Sequence, residues 1–298
     1  MKILECVPNL SEGRDKNKVE RIVDEVRKVS GVKLLDYSSD EDHNRSVVTF
    51  LGSPEVVEQA ALALCLKALD LIDLRTHHGA HPRIGAVDVV PFIPVRGMGM
   101  EEAVAVARRF GKILGQKGGL PVFFYGDAAT SPARKKLSDI RKGEYEGLPE
   151  KLSRPEWVPD AGTQAFNARS GASVVGARFP LIAFNVNLLS TDLGLAKRLA
   201  RKIRESSGGI PTVQALGVDL KDKAMVQVSM NLMNYRVASI PRVVSFLQQE
   251  IQGTGVEIGE CELVGLVPLE ALEDVVRDCL RMPAFTSQQV IETHLLPE

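Results

Sequence analysis

The sequence has little of what metal sites, disulfide scaffolds and membrane spans are built from. Its four cysteines lie far apart with no C-x-x-C pair, so no zinc or thioredoxin-like motif is encoded; they are Cys6, Cys65, Cys261 and Cys279. We expect four buried free thiols in a reducing compartment. No stretch approaches the roughly 20 apolar residues that a membrane span needs, and the short apolar start, flanked by charge, does not resemble a signal peptide. These absences predict a cytoplasmic protein without a membrane partner.

Charge of one sign is not in excess either. Lys and Arg number 37 against 38 for Asp and Glu, so the chain lacks the basic footprint of a nucleic-acid-binding protein. No P-loop, G-x-G-x-x-G or G-x-S-x-G pattern occurs, so neither a nucleotide site nor a serine hydrolase is indicated. What is present, 44% hydrophobic and 25% charged residues in 298, is typical of one large globular domain or two smaller ones.

Apolar periodicity predicts the order βαββαβ twice along the chain. In the first half the strands are expected at 3–7, 32–37, 46–51 and 86–95, with helices around 19–26 and from Pro54 onwards. The last of these strands, AVDVVPFIPV, is apolar enough to be central in a sheet. In the second half we expect strands at 181–189, 212–218, 225–233 and 261–267, with helices at 191–205 and about 240–251.

Two βαββαβ halves predict an α+β fold of two ferredoxin-like subdomains, at 1–178 and 179–298. If helices cover one face of each sheet, the other faces must be buried, most simply by packing face to face with the helices outside. A ligand would then lie at the seam. Between the halves, a helix at 101–114 and a strand at 121–126 precede a segment rich in turn formers at 131–173, which runs into a further strand. We interpret that segment as an ordered ligand-binding loop.

Three of the five histidines, His77, His78 and His81, fall within one loop. A metal pair is disfavoured because Gly79 and Pro82 indicate a loop rather than a helix, and no H-E-x-x-H glutamate is present. A general base or acid is the other functional interpretation, since imidazole titrates near neutral pH. His81 is best placed, because Gly79 and Gly85 allow the backbone to approach a ligand closely. A hydrogen-bonding loop histidine without chemistry remains the alternative.

Other polar residues have both a structural and a ligand-binding interpretation. Asp88 lies inside an apolar strand, where it would orient a loop imidazole or arginine, or cap a backbone turn. Asn9 is typical of turn chemistry and Arg45 of a solvated strand entrance, yet each also suits a polar ligand. The candidates for substrate binding are Asn9, Asn44, Arg45, Arg83, Asp88, Arg178, Asn185 and Asn187.

The chain resembles the formiminotransferase family over nearly its whole length. The resemblance rests on ECVPNLSEG, DHNRSVVTFLG, GAHPRIGAVDVVPFIPVRG, YGDAA, IRKGEYEGLP, PDAG, GARFPLIAFNVNLLS and ELVGLVPL. It implies transfer of a formimino group from N-formimino-L-glutamate to N5 of tetrahydrofolate in histidine breakdown. It also implies two subdomains packed sheet to sheet around a folate passage, and a homodimer; no metal is expected.

The resemblance also implies roles for individual residues. His81 matches the catalytic histidine of the family. Ten residues lie where the family binds folate: Gly162, Thr163, Gln164, Ala165, Phe166, Asn167, Ala168, Arg169, Ser170 and Gly171. Vertebrate members carry an aspartate, proposed to assist the histidine, where this chain has Ser38, so Asp36 or Asp40 would have to replace it. Animal members continue into a cyclodeaminase domain, which we expect to be absent here.

Two other functions are compatible with these residues. One keeps the fold and the folate but exchanges a formyl group between 5-formyltetrahydrofolate and glutamate, because an amidine and a formamide have the same shape. The other is a folate-binding protein without activity. The presence of His81, Arg83 and Asp88 argues against it.

Overall fold

The computed structural model describes residues 1–295, and the chain divides into two compact units, Met1–Arg178 and Phe179–Glu298. Both units mix helices with a sheet, so the predicted α+β class is confirmed. None of the described helices combines the length and the apolar character needed to cross a membrane.

Outside the segment 131–172 (the insertion), the first unit contains ten β-strands and α-helices. They are β1 (Ile3–Cys6), β2 (Asn9–Leu10), α1 (Lys16–Arg27), β3 (Lys33–Asp40), β4 (Arg45–Gly52), α2 (Pro54–Leu71), β5 (Val87–Arg96), α3 (Met100–Gly118), β6 (Val122–Gly126) and β7 (Ser173–Ala177). Each predicted strand and helix of this half is present, with ends displaced by a few residues.

The strands of the first unit form one sheet in the order β3, β4, β1 with β2, β5, β7, β6. The strand predicted at 3–7 is interrupted after Cys6, and both pieces lie between β4 and β5. The pairs β5–β7 and β6–β7 are parallel, and the other pairs are antiparallel. The predicted central position of β5 is confirmed, because it has neighbours on both sides and is buried from Val87 to Ile93.

The two faces of this sheet are covered differently. Side chains of one face, such as Phe92 of β5, join the core built with α1, α2 and α3. Side chains of the other face, such as Val89 and Phe123, pack with Ile140 and Leu148 of the segment 131–172. That segment is ordered, as predicted, and contains α4 (Leu137–Arg141) and α5 (Leu148–Leu152). It therefore holds loop residues over the sheet.

The second unit repeats the same order of elements around its own core. Its elements are β8 (Ile182–Leu188), α6 (Leu193–Ile203), β9 (Val213–Leu220), β10 (Met225–Leu232), α7 (Ile240–Ile251), β11 (Ile258–Val264) and α8 (Leu269–Cys279). The strands are antiparallel in the order β11, β8, β10, β9. The first unit places its corresponding strands, β5, β1, β4 and β3, in the same sequence. The internal duplication seen in the sequence is thus a duplication of topology.

Two expectations about the second unit need correction. Helix α8 was not predicted; it follows β11 and buries only Ala271 and Glu273, while Leu269 and Leu272 are exposed. Of the four cysteines, Cys6 and Cys65 are buried, but Cys261 and Cys279 are exposed, so the prediction of four buried thiols was wrong. Cys261 lies on β11, which pairs with β8 alone, and Cys279 ends α8.

Candidate functional site

The loop that carries His81 lies between α2 and β5, and glycines let it pack against other backbone segments. A Cβ on Gly79 would meet the carbonyl oxygen of His43 at 2.3 Å, and one on Gly85 would meet that of Ala172 at 1.9 Å. The glycines are required because neighbouring chain segments touch the loop. A close approach of the loop backbone to a ligand stays a prediction.

The three clustered histidines occupy different surroundings. His77 is buried, with Nε2 3.0 Å from the carbonyl oxygen of Asn44 and Nδ1 accepting a bond of 3.2 Å from Nε of Arg83. Burial lowers the pKa of His77, so the ring is neutral and acts as a hydrogen-bonding spacer. His78 is exposed. Within residues 1–295 no three His, Cys, Asp or Glu side chains converge as metal ligands would.

His81 is half-buried, and its surroundings are dominated by positive charge. Burial lowers the pKa of His81 to about 3, and the charges of Arg45, Arg141 and His43 act in the same direction. Asp40 opposes them; it pairs with His43 at 2.9 Å, and the His43 ring lies edge-on to the His81 ring at 6.3 Å. His81 is therefore an uncharged ring in the ligand-free protein.

Three buried nitrogens around His81 have no hydrogen-bond partner among the described residues. They are Nε2 of His81, Nε of Arg45 and Nε of Arg141, and the only comparable atom elsewhere in the described chain is a hydroxyl oxygen, that of Thr293. An unsatisfied buried polar group is unfavourable by about 1–3 kcal/mol. Their concentration at one place indicates a site that a polar ligand completes.

Asp88 holds this cluster together from β5. It is 1% exposed, accepts a bond of 2.8 Å from the amide of Ile84, and pairs with the Nη2 of Arg141. Both structural roles considered for Asp88, orienting an arginine and capping a backbone turn, are therefore present. The carboxylate offsets one of the two arginine charges, and Arg45 forms no ion pair with the described residues. Burial and Arg141 lower the pKa of Arg45.

Arg83 is committed to contacts within the protein. Its two Nη atoms bind the carboxylate of Glu146 at 3.0 and 2.8 Å, and Nη1 lies 3.3 Å from Glu144. Its guanidinium also lies over the ring of Tyr145, 5.8 Å from the centroid. With its charge already matched, Arg83 joins the histidine loop to the insertion. A cavity of 410 Å³ opens beside it, lined by His78, Gly79, Arg83, Gly143, Glu144 and Glu146.

The predicted site residues Asn9 and Asn44 make turn contacts. Asn9 donates from Nδ2 to the carbonyl of Val7 at 3.1 Å. Asn44 adopts a left-handed backbone with φ of 48°, accepts from the Gly13 amide at 2.9 Å, and donates to the His78 carbonyl at 2.9 Å. Asn44 thereby ties the N-terminal loop to the histidine loop.

The remaining substrate-binding candidates are Arg178 in the first unit and Asn185 and Asn187 in the second. Arg178 follows β7 and hydrogen-bonds the buried Tyr125, and its charge opposes the burial that raises the pKa of Glu5. In the second unit, Asn185 donates to Glu262 at 2.9 Å, and Asn187 accepts from Gln227 at 2.9 Å. The two asparagines share the face of β8 that turns away from its apolar residues Phe184, Val186 and Leu188.

The ten residues predicted to bind folate form an ordered loop between α5 and β7. The side chain of Asn167 caps the amides of Arg169 and Ser170, at 3.1 and 3.0 Å, and also binds the carbonyl of Gly119 at 3.1 Å. The ring of Phe166 lies 5.6 Å from that of Tyr145, whose hydroxyl donates to the Ala168 carbonyl. Through Tyr145 this loop contacts the stretch 144–146, which also binds Arg83.

Sequence reasoning assigned no role to Arg141, Tyr145 or Glu146, although all three lie in the block IRKGEYEGLP. The structure makes this block the link between the histidine loop and the loop 162–171. The available signal was an aromatic residue among alternating charges in an otherwise turn-rich stretch, a pattern that solvated loops share.

Comparisons with known proteins give matches over both halves of the chain. The family model described as "Formiminotransferase domain, N-terminal subdomain" matches residues 3–178, and the one described as "Formiminotransferase domain" matches residues 183–284. Glutamate formimidoyltransferase of Streptococcus pyogenes serotype M1 is 41% identical over 99% of each chain. The protein of the same name from Thermoplasma acidophilum is 43% identical over 98% of this chain and 97% of its own.

A longer relative matches over part of its length. Formimidoyltransferase-cyclodeaminase of Rattus norvegicus is 45% identical over 91% of this chain, but only 51% of that protein is covered. Together the family models span both structural units, and the bacterial and archaeal relatives align from end to end. The chain belongs to the formiminotransferase family.

Proposed function

We propose that the chain transfers the formimino group of N-formimino-L-glutamate to N5 of tetrahydrofolate, a step of histidine degradation. The observation that carries the proposal is the unpartnered Nε2 of His81, set between two arginines in a chain related over its full length to glutamate formimidoyltransferases. Tetrahydrofolate is a cosubstrate.

The chemistry needs one group that accepts and then returns a proton. N5 of the folate attacks the amidine carbon, and Nε2 of His81 takes the N5 proton as the bond forms. The resulting imidazolium gives that proton to the glutamate nitrogen as the carbon–nitrogen bond breaks. The products are 5-formiminotetrahydrofolate and L-glutamate, and His81 returns to its neutral form.

Asp40 assists His81 in this proposal, in place of an aspartate at Ser38. The charge of Asp40 opposes the arginines at His81, and the Asp40–His43 pair lies against the His81 ring. No comparable contact involves Asp36 among the contacts of the described residues. The substitution at Ser38 is therefore compatible with activity.

The loop Gly162–Gly171 supplies the folate-binding surface in this proposal. Phe166 offers an aromatic ring braced by Tyr145, and the Asn167 cap keeps the loop backbone in one shape. Contacts of Asn185 and Asn187 with the pterin, a homodimer and a cytoplasmic location stay predictions.

A donor assay tests the proposal directly. Purified protein is incubated with tetrahydrofolate and N-formimino-L-glutamate, and L-glutamate release and 5-formiminotetrahydrofolate formation are followed together. A parallel assay offers 5-formyltetrahydrofolate and glutamate. We expect rapid turnover with the formimino donor. Faster turnover with the formyl pair, or folate binding without either reaction, contradicts the proposal.

A further inference from the structure

The cluster around His81 contains an uncompensated positive charge inside the protein. Arg45 and Arg141 each contribute a guanidinium. The buried carboxylate near them, Asp88, is bound to Arg141. Asp40 also acts on Arg45, but its side chain is 49% exposed and already pairs with His43. A single additional carboxylate at this place would balance the charge.

Arg141 is held in place by contacts on both sides of it along the chain. The carbonyl oxygens of its neighbours Ile140 and Lys142 each accept a hydrogen bond from the Nζ of Lys151, a buried lysine that also lies 4.4 Å from the Trp157 ring centroid. Asp88 fixes the guanidinium itself. Burial lowers the pKa of Lys151 to about 8. The side chain of Arg141 is pre-oriented.

The other two arginines among the candidates for substrate binding make contacts within the protein. Arg83 already binds Glu146 with two hydrogen bonds and Glu144 with a third, and Arg178 hydrogen-bonds Tyr125. Arg45 and Arg141 instead each retain a buried Nε without a partner in the described chain. A carboxylate accepts well from guanidinium donors of this kind.

We propose that Arg45 and Arg141 together bind a carboxylate of the glutamyl donor, and that this carboxylate is what enables His81 to accept the proton. The inference rests on the proposed function and names Arg141 as a substrate-binding residue of that site. The ligand anion is the partner that Nε of Arg45 and Nε of Arg141 lack, and Nε2 of His81 is left to take the N5 proton.

The consequence for His81 is electrostatic. In the ligand-free protein burial is the largest cause that acts against a proton on His81; Arg45, Arg141 and His43 act in the same direction, and Asp40 opposes them. An anion bound between the arginines offsets their charge and raises the pKa of His81 towards its ordinary value of 6.5. The base would gain proton affinity when the donor is bound, so that substrate binding and proton transfer are coupled.

The first test needs only the wild-type protein. The His81 imidazole is titrated by NMR with and without saturating L-glutamate, which retains both carboxylates of the donor, in the presence of 5-formyltetrahydrofolate. We expect L-glutamate to move the His81 titration to higher pH by about one unit or more. An unmoved titration overturns the inference.

The second test uses three variants that separate the ligand contact from folding. Arg141→Lys keeps the charge beside Asp88 but loses the two-pronged geometry, and the double variant Arg141→Met with Asp88→Asn removes the buried pair as a unit. Arg109→Lys is the control, since Arg109 makes an exposed ion pair with Glu58 on α2. Affinity for L-glutamate is measured by calorimetry, with melting curves to confirm folding.

We expect both Arg141 variants to bind L-glutamate about tenfold more weakly or worse, with unchanged affinity for 5-formyltetrahydrofolate. In them L-glutamate should no longer move the His81 titration. If both Arg141 variants bind L-glutamate as tightly as Arg109→Lys does, the inference is overturned. In that case turnover of the formimino donor by the wild-type protein still upholds the proposed function. Arginine-dependent glutamate binding in a protein that transfers no formimino group supports the inference and overturns the proposed function alone.

Discussion

Arg83 and Glu146 form a two-pronged ion pair in which the arginine side chain is 7% exposed and the glutamate 64% exposed. The pair joins the histidine loop to the insertion across 63 residues of chain. Because the buried partner is the arginine, the contact orients a loop whose other face carries His81. Arg83 is thus better described as a support of the site than as a contact to substrate.

This support can be tested by removing the exposed partner. Glu146→Gln should lower the free energy of unfolding by about 1 kcal/mol, because the buried guanidinium of Arg83 loses its main acceptor. Glu150→Gln is the matched control, since Glu150 forms an exposed pair with Arg154 and should change stability by less than about 0.5 kcal/mol. Denaturant unfolding measures both. Equal effects of the two substitutions would contradict the role given to the pair.

His81→Gln should reduce kcat by about 10²- to 10⁴-fold, because a glutamine cannot relay the N5 proton. Folding and affinity for 5-formyltetrahydrofolate should be retained, since Nε2 of His81 makes no hydrogen bond to the described residues. His78→Gln, at the exposed histidine three residues earlier, is the control and should keep the wild-type rate. Single-turnover kinetics with both variants decide it, and an unchanged rate in His81→Gln would exclude His81 as the base.

The pH profiles of kcat/KM and kcat should differ at their acidic ends. The first reports the free enzyme, where the pKa of His81 is about 3, so its limb from His81 lies well below neutral pH. The second reports the bound state, where the donor carboxylate offsets Arg45 and Arg141. Its acidic limb should therefore lie at higher pH. Initial rates over a range of pH, with folding confirmed at each pH, measure both; coincident limbs would show that the donor does not change His81.

Stability should fall with acidification for the same reason. The folded protein keeps His81 neutral down to a pKa of about 3, whereas the unfolded chain binds a proton near 6.5, so the unfolded state takes up more protons between these values. The contribution of the neutral His81 ring to the free energy of unfolding is complete above pH 6.5 and is lost as the pH falls through that window. Comparing denaturant unfolding at about pH 7.5 and about pH 5, His81→Gln should lose less stability than the wild type. His77, whose pKa is also lowered by burial, accounts for part of the remainder.

The sequence was sufficient for the regular elements because their apolar periods are strong. The alternation of β4, the continuous apolar run of β5 and the helical stripe of α1 each match buried residues of the structure. Helix α8 was missed although its apolar residues Leu269, Leu272 and Val276 have helical spacing. In the structure this helix buries only Ala271 and Glu273.

The site was predictable where a residue type is rare and clustered, and not where its meaning depends on a distant partner. His81 stands out among five histidines, but Arg141 is one of many basic residues in a turn-rich stretch. Its partner Asp88 lies 53 residues earlier, on a different element. Likewise Gly85 is required by the carbonyl of Ala172, which only the folded chain brings near.

Tyr145 gives the last prediction, because its ring lies between two site elements. The guanidinium of Arg83 is 5.8 Å from the ring centroid, and the ring of Phe166 is 5.6 Å away. Tyr145→Leu should weaken binding of 5-formyltetrahydrofolate by about tenfold, since the loop 162–171 loses both an aromatic contact and the hydroxyl bond to Ala168.

Tyr145→Phe separates the two contributions, because it keeps the ring and loses only the hydroxyl. Its effect should be smaller, about threefold, as the Ala168 carbonyl lies in an exposed part of the loop and water replaces the lost donor. Tyr37→Leu is the control: Tyr37 also has a nearby arginine and a hydroxyl bond, to Glu20, but lies on β3. Calorimetric titration with 5-formyltetrahydrofolate ranks the three. If Tyr145→Leu binds 5-formyltetrahydrofolate as tightly as Tyr37→Leu does, Tyr145 does not brace the loop 162–171, and the role given to Phe166 must be abandoned.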